Sequence, residues 1–255
     1  MADPYSLRMD GRICVVTGGS RGIGAEIVAA FVAMGGQVIV FDRDLPETTP
    51  DRVHFVRTDV TDEASVRTAV RDVTARWERV DILVNNAGII NKALVEDLPL
   101  DDWNRLLGVN LTGAALCAKY VVPLMKRHRW GRIINMSSMQ AFMGTATYSA
   151  YAVSKAGIHA LTRVWARELV EYNATANSIC PSFAHTPMGD AFIKRTAAQR
   201  GVTEKEAMEF ILAPVPQKRF IEPAEIAFTA LFLCQELARG ISGSAILVDA
   251  GMIMR

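Results

Sequence analysis

Short apolar runs alternate along the chain with segments whose apolar residues recur every three or four positions. The runs read as buried strands, and the recurring positions as helices with one face on a core. Strands are predicted over 13–17, 37–41, 53–56, 82–84, 132–136, 175–180 and 245–248, and helices over 22–34, 63–77, 103–125, 151–171 and 222–234. In the first helix Ile23, Ile27, Phe31 and Met34 share a face, and Gly35-Gly36 ends it, because glycine takes the left-handed turn that closes helices. Pro223 sits early in the last helix, a position that tolerates its missing N–H. Strands alternating with helices mark βαβ units around a parallel sheet. No linker, repeat or change of composition divides residues 1–255, so a single domain is expected. One segment breaks the rhythm. Residues 187–217 are helical in pattern, rich in charge and closed by Pro214 and Pro216, which suits a lid inserted over a pocket.

Composition narrows the class. Half of the 255 residues are hydrophobic, and a chain of this length buries roughly 70–75% of its unfolded surface. A net charge of +1 favours neither nucleic acid nor an anionic membrane surface. No apolar stretch in the sequence approaches the roughly 18 residues that span a bilayer. Residues 1–10 lack the basic-then-apolar pattern of a signal peptide. A soluble, cytoplasmic protein is expected. Cys14, Cys117, Cys180 and Cys234 are too widely spaced for a metal pattern and lie mostly in apolar runs, so they read as buried free thiols in a reducing compartment. No metal site is expected, because the His and Cys residues are scattered.

Candidate chemistry collects just after the strands. The run Thr17-Gly18-Gly19-Ser20-Arg21-Gly22-Ile23-Gly24 joins the first strand to the first helix. Glycines let the backbone approach a ligand, and the helix start offers free N–H groups and a positive dipole end to a pyrophosphate. The spacing departs from G-x-G-x-x-G, and a tight loop alone would also explain it. Asp42, just past the second strand, stands where an acid binds the ribose hydroxyls of an adenosine. Its charge repels a 2′-phosphate and favours NAD over NADP, while Arg21 and Arg43 pull the other way. An exposed turn acid is the plainer alternative. Asp59 follows the third strand and Asn85-Asn86-Ala87-Gly88 the fourth, at strand ends where open α/β sheets bind ligands.

Tyr151 and Lys155 are four residues apart and share a helix face. A tyrosine ordinarily keeps its proton to about pH 10. A neighbouring ammonium stabilises the phenolate, so the pair is a candidate tuned acid/base. Ser138 follows the fifth strand and precedes Tyr151 by thirteen residues, where a hydroxyl can donate to a substrate oxygen.

With these residues in place, the sequence resembles the short-chain dehydrogenases/reductases over almost its full length. The resemblance rests on five ordered motifs: Thr17 to Gly24, Asn85 to Gly88, Val109-Asn110, Ser138 with Tyr151 and Lys155, and Pro181 to Thr186. It implies an α/β, doubly wound, Rossmann-type sheet of seven parallel strands. Tyr151 would carry the proton, Lys155 would bind the nicotinamide ribose and depress the Tyr151 pKa, Ser138 would orient the substrate oxygen, and Asn110 would hold a water in the proton relay. Cofactor contacts would come from Gly18, Ser20, Arg21, Ile23, Asp42, Asp59, Val60, Asn86, Ala87, Gly88, Tyr151, Lys155, Pro181, Ala184 and Thr186. Pro181-Ser182 replaces the family's Pro-Gly, and Asp249-Ala250-Gly251 its Asp-Gly-Gly. A homotetramer is the family expectation.

The stretch 201–233 most resembles D-3-hydroxybutyrate dehydrogenases, but the pocket departs from them. Ile90, Gln140 and Tyr148 stand where those enzymes have polar substrate-binding side chains, and Phe183 where they have tryptophan. A substrate carboxylate would lack its usual partners. The resemblance therefore points to a small-molecule substrate of another kind: a hydroxy acid, a sugar-derived acid or a polyol. Candidate pocket residues are Gln140, Met143, Tyr148, His185 and Met188. Arg255 is a further candidate, reaching an anionic substrate from a neighbouring subunit, against a frayed tail as the simpler reading. Three functions stand open: an NAD-dependent dehydrogenase of a secondary alcohol, an NADPH-dependent 3-oxoacyl-type ketoreductase, and a catalytically silent nucleotide sensor.

Overall fold

The computed structural model describes residues 6–44 and 49–253. Among them, β1 (Ile13–Thr17), β2 (Gln37–Asp42), β3 (Val53–Arg57), β4 (Ile82–Asn85), β5 (Gly131–Met136), β6 (Ala174–Pro181) and β7 (Ala245–Val248) form one parallel sheet. Its order is β3-β2-β1-β4-β5-β6-β7. The chain leaves β1 toward one edge and, from β4 onward, builds toward the other. The switch point between β1 and β4 is where open α/β sheets place their ligands.

The helices are α1 (Gly22–Ala33), α2 (Glu63–Trp77), α3 (Leu100–Leu107), α4 (Gly113–His128), α5 (Ser149–Leu169), α6 (Pro187–Arg200), α7 (Glu204–Leu212) and α8 (Pro223–Leu233). They cover both faces of the sheet, which is why the strands are continuous apolar runs rather than alternating ones. β1 sorts its side chains by the period of two. Cys14 and Val16 join the core under α1 and α8 with Ile27, Phe31 and Ile226. Ile13 and Val15 join the core under α2, α4 and α5 with Val66, Val121 and Trp165. All four cysteines are buried and free.

Two expectations change. The helix expected over 103–125 begins earlier, at Leu100, and is broken by a π turn, Gly108–Thr112, between α3 and α4. Such turns insert a residue into the ladder and recur at functional sites; here the turn carries Asn110. The joined helix Leu100–His128 is also long and apolar enough, by length and composition alone, to cross a membrane. That corrects the reading that no apolar stretch approaches such a length. The physical reason is amphipathicity: Cys117, Val121, Leu124 and Met125 lie in the core, while Lys119 on the outer side pairs with Glu63 of α2.

The segment after β6 forms α6 and α7. Thr186 caps α6 by accepting from the Gly189 N–H. Gly201 ends that helix in the left-handed conformation, and a Thr203–Glu206 capping box starts α7.

Candidate active site

The parallel strands all end at one edge of the sheet, and the loops beyond them enclose a cavity of about 560 Å³. That lies in the range of small-molecule and cofactor sites, about 300–1,000 Å³. The cavity runs from the turn after β1, past Asp42, Asp59, Val60 and the loop after β4, to Ser138, Tyr151 and Lys155, and reaches α6.

At one end the wall is mostly backbone. Arg21, the N-cap of α1, is extended and supplies no side-chain cap to the first turn. The orphan N–H groups of a helix start are therefore left for another acceptor. Gly18 has φ of +64°, and a Cβ on it would come 2.9 Å from Ala87 Cα, so only glycine lets the turn after β1 and the loop after β4 meet. Asn86 ties the same two loops, donating from Nδ2 to the carbonyls of Thr17 (3.0 Å) and Gly18 (2.9 Å). The Thr17 hydroxyl accepts from the N–H groups of Asn86 and Ala87, each at 3.0 Å. Asp42 faces the cavity but is also held by its own turn: its carboxylate accepts from the N–H groups of Ser20 (3.2 Å) and Arg43 (2.8 Å). Ser20 is not at the cavity wall. It positions Asp42 and donates its hydroxyl to the Asp44 carbonyl. The Asp59 carboxyl lies below its usual range because the Thr61 hydroxyl and N–H donate to it.

At the other end the wall is side chains. α5 puts Tyr151 and Lys155 one turn apart, and β5 delivers Ser138 opposite them. The Ser138 hydroxyl accepts from the Gln140 N–H at 3.2 Å. Burial dominates the titration of both groups on α5. It pushes the Tyr151 phenol up to about 12, with Ser138 pulling the other way, and drives the Lys155 ammonium down to about 8. This corrects the expectation that Lys155 lowers the Tyr151 pKa. The Lys155 Nζ donates to the Met136 carbonyl at 2.8 Å, and burial outweighs any charge it places near the phenol.

Asn110 binds its neighbours through its side chain. It is almost wholly buried and is not at the cavity wall. Its amide nitrogen donates to the Ile89 carbonyl (2.9 Å) and the Ser154 hydroxyl (3.2 Å), and its oxygen accepts from the Ile89 N–H (2.8 Å). In this arrangement the Asn110 side chain fixes the loop after β4, with both ends of its amide in use.

Of the expected pocket residues, Gln140, Tyr148 and Met188 line the cavity. Met143 and His185 do not. His185 is exposed, 2.7 Å from Glu222 and stacked on Phe220 outside the wall. Arg255 lies outside the described residues. Pro181, Ala184 and Thr186 are at the wall, as are Gly18, Arg21, Ile23, Asn86, Ala87 and Gly88. Phe192 and Arg195 of α6 also line it, and the sequence reading missed them. Their three-residue spacing on a helix was a usable signal, but nothing local said which face of that helix turns inward.

An uncapped helix start, a strand-end carboxylate and a buried Ser-Tyr-Lys group meet on one cavity, the arrangement of a nucleotide-dependent enzyme of the doubly wound α/β class. The family model described as enoyl-(acyl carrier protein) reductase matches residues 18–253. An uncharacterized oxidoreductase, YxjF, of Bacillus subtilis is 37% identical over 94% of this chain and 97% of that protein. The 3-oxoacyl-[acyl-carrier-protein] reductase FabG of Thermotoga maritima is 32% identical over 97% of this chain and all of its own length. A D-beta-hydroxybutyrate dehydrogenase of Cupriavidus necator is 33% identical over 96% and 99%. Among solved structures, the ligand-free aldohexose dehydrogenase of Thermoplasma acidophilum superposes with a TM-score of 0.89 at 30% identity, covering 98% of this chain and 96% of that one. The chain belongs to the short-chain dehydrogenase/reductase family of oxidoreductases, which use a nicotinamide cofactor and act on small molecules.

Proposed function

We propose that this protein is an NAD(H)-dependent dehydrogenase that interconverts a secondary alcohol and a ketone, with Tyr151 as proton carrier. The observation that carries this reading is the convergence of Ser138, Tyr151 and Lys155 on the cavity that also holds the α1 N-terminus and Asp42. The residues present fit a dinucleotide. The uncapped first turn of α1 suits a pyrophosphate, and the Asp42 carboxylate suits ribose hydroxyls better than a 2′-phosphate. Bound there, the nicotinamide supplies a hydride acceptor or donor and, when oxidised, a positive charge.

The residues divide the remaining work. The Ser138 hydroxyl orients the substrate oxygen by donating to it. The Tyr151 phenol, held protonated by burial, gives its proton to a developing alkoxide in reduction and takes one in oxidation. Lys155 holds the nicotinamide ribose. Asn110 is a positioning residue for the loop after β4, and residues 187–217 act as the lid.

Residues 1–255 act as one domain, and the protein works in the cytoplasm as a homotetramer. The reading is tested by kcat/KM with NAD and NADP. NAD is expected to win, and equal or better values with NADP overturn the cofactor assignment. That outcome would favour a 3-oxoacyl-type ketoreductase, a reading supported by the Thermotoga maritima relative. Nucleotide binding without any turnover would favour a silent sensor.

A further inference from the structure

We propose that the substrate end of the cavity is built for an anion: a carboxylate on the substrate, held by Lys92 and Arg195, with the Gln140 amide as a neutral third contact. The inference rests on the dehydrogenase reading and narrows its substrate to an acid, against a polyol or a free sugar.

Three observations carry it. First, two cations stand together at this end without a counter-charge. Lys92, in the loop after β4, is not itself at the cavity wall but packs on two residues that are, its ammonium 4.3 Å from the Phe192 ring and 4.8 Å from the Tyr148 ring. Arg195 lines the cavity from α6, its guanidinium 6.0 Å from the same Phe192 ring. Among the described residues neither pairs with a carboxylate. Burial, with the like charge of Arg195 as a second cause, brings the Lys92 ammonium down to about 8. Neighbouring acids are engaged elsewhere or apart: Glu222 is taken by His185, and Asp190 sits in the first turn of α6 without an ion pair.

Second, Gln140 is 7% exposed and lines the cavity, yet its side-chain oxygen is buried with no hydrogen-bond partner. A buried polar atom left unpaired is costly, and in the present rotamer this oxygen can only accept. The oxygen and nitrogen of an amide exchange by a half-turn, and only the flipped orientation presents N–H to an anion at this position.

Third, the geometry sets a distance. The Tyr148 ring lies 6.2 Å from the Tyr151 ring, and the Lys92 ammonium lies 4.8 Å from the Tyr148 ring. With Tyr148 between the two contacts, the proposed acid group sits several carbons from the carbon that exchanges hydride. This explains how the pocket can take an acid although Ile90, Gln140 and Tyr148 offer no cation themselves. The fold brings one from the β4 loop and another from the lid helix instead.

The test is a ladder of hydroxy acids of increasing length, each paired with its primary amide, assayed by NADH absorbance. The wild type is expected to prefer the acid over its amide, most strongly for the longer members. In Lys92→Met and Arg195→Met the KM for the acid is expected to rise about tenfold to a hundredfold, with a much smaller change in kcat. The acid-to-amide preference is expected to move toward one, and Lys92→Arg to restore part of it. A merely structural pairing of Lys92 with two rings would raise acid and amide KM alike, and that result overturns the proposal. So does a wild type that turns over amides as well as acids. A ladder with no turnover at all would fail the dehydrogenase reading. The anion site is then read separately by calorimetry of saturated dicarboxylates into the protein holding NADH. Binding lost in the Lys92→Met/Arg195→Met double variant upholds the site, and no binding to the wild type overturns it.

Discussion

The two ends of the cavity are built on different principles. The nucleotide end is backbone held by backbone: Gly18 against Ala87, the Asn86 amide on two carbonyls, the Asp42 carboxylate on its own turn. Its polar groups are largely satisfied before any ligand arrives, and the open donors belong to a helix start. The substrate end is side chains from the β4 loop, β5, α5 and α6, and it leaves unfinished pairings: the Gln140 oxygen and the Lys92 and Arg195 charges. A preformed frame suits a ligand that is the same in every turnover. An end made of side chains on loops and a lid suits selection among substrates, and it can change without disturbing the sheet.

The sharpest way to break this comparison is Tyr151→Phe, which removes the proton carrier and touches neither end's framework. kcat is expected to fall about 10²–10⁴-fold, while nucleotide affinity, read by NADH fluorescence, stays within about twofold. A variant that keeps its turnover would show that the chemistry lies elsewhere. Asp42→Ala acts on the opposite end. The ratio of kcat/KM for NAD over NADP is expected to fall about tenfold to a hundredfold, the worth of a charged hydrogen-bond partner. An unmoved ratio would leave Asp42 as a turn acid only.

A third test uses pH. Above about pH 8 the native state holds Lys155 neutral, whereas the unfolded chain keeps that proton up to 10.5. The unfolded state therefore binds more protons between those values, and stability from this group rises with pH across that window. Tyr151 has the opposite sign. Its native pKa of about 12 exceeds the ordinary 10.0, so its contribution is present below pH 10 and lost as pH rises toward 12. Urea midpoints of wild type and Lys155→Met, measured between pH 8 and 10, should diverge in favour of the wild type by an amount on the order of 1–3 kcal/mol. Parallel curves would place the Lys155 ammonium in a wetter site. The smallest effect belongs to His185→Ala. Its ring lies outside the cavity, so KM should change by no more than about twofold, as for an ordinary surface substitution.

The nucleotide end was legible in the sequence for the same reason that it is rigid. Glycines at forced positions, and acids or asparagines just after apolar runs, are local signals that the strand ends then bring together. Ser138, Tyr151 and Lys155 were legible through their spacing across one strand and one helix. What escaped was long-range. Burial of the Tyr151–Lys155 pair reversed the expected direction of the tyrosine's pKa, and no spacing encodes desolvation. Asn110 was seen, but not the π turn that buries it or the Ile89 backbone that occupies it. His185 was a candidate pocket residue next to Thr186, yet consecutive residues leave a capped helix start in different directions. Lys92 and Arg195 are about a hundred residues apart, and only the packing of α6 over the β4 loop makes them neighbours.

The central claim is that one cavity binds a nicotinamide nucleotide and moves a proton through Tyr151 for an alcohol. The most direct measurement is NADH formation from NAD across a panel of hydroxy acids, sugar acids and polyols, with NADP run in parallel. The expected result is reduction of NAD by at least one member, faster than of NADP, and abolished in Tyr151→Phe. Tight nucleotide binding with no turnover of any member with either nucleotide would contradict it.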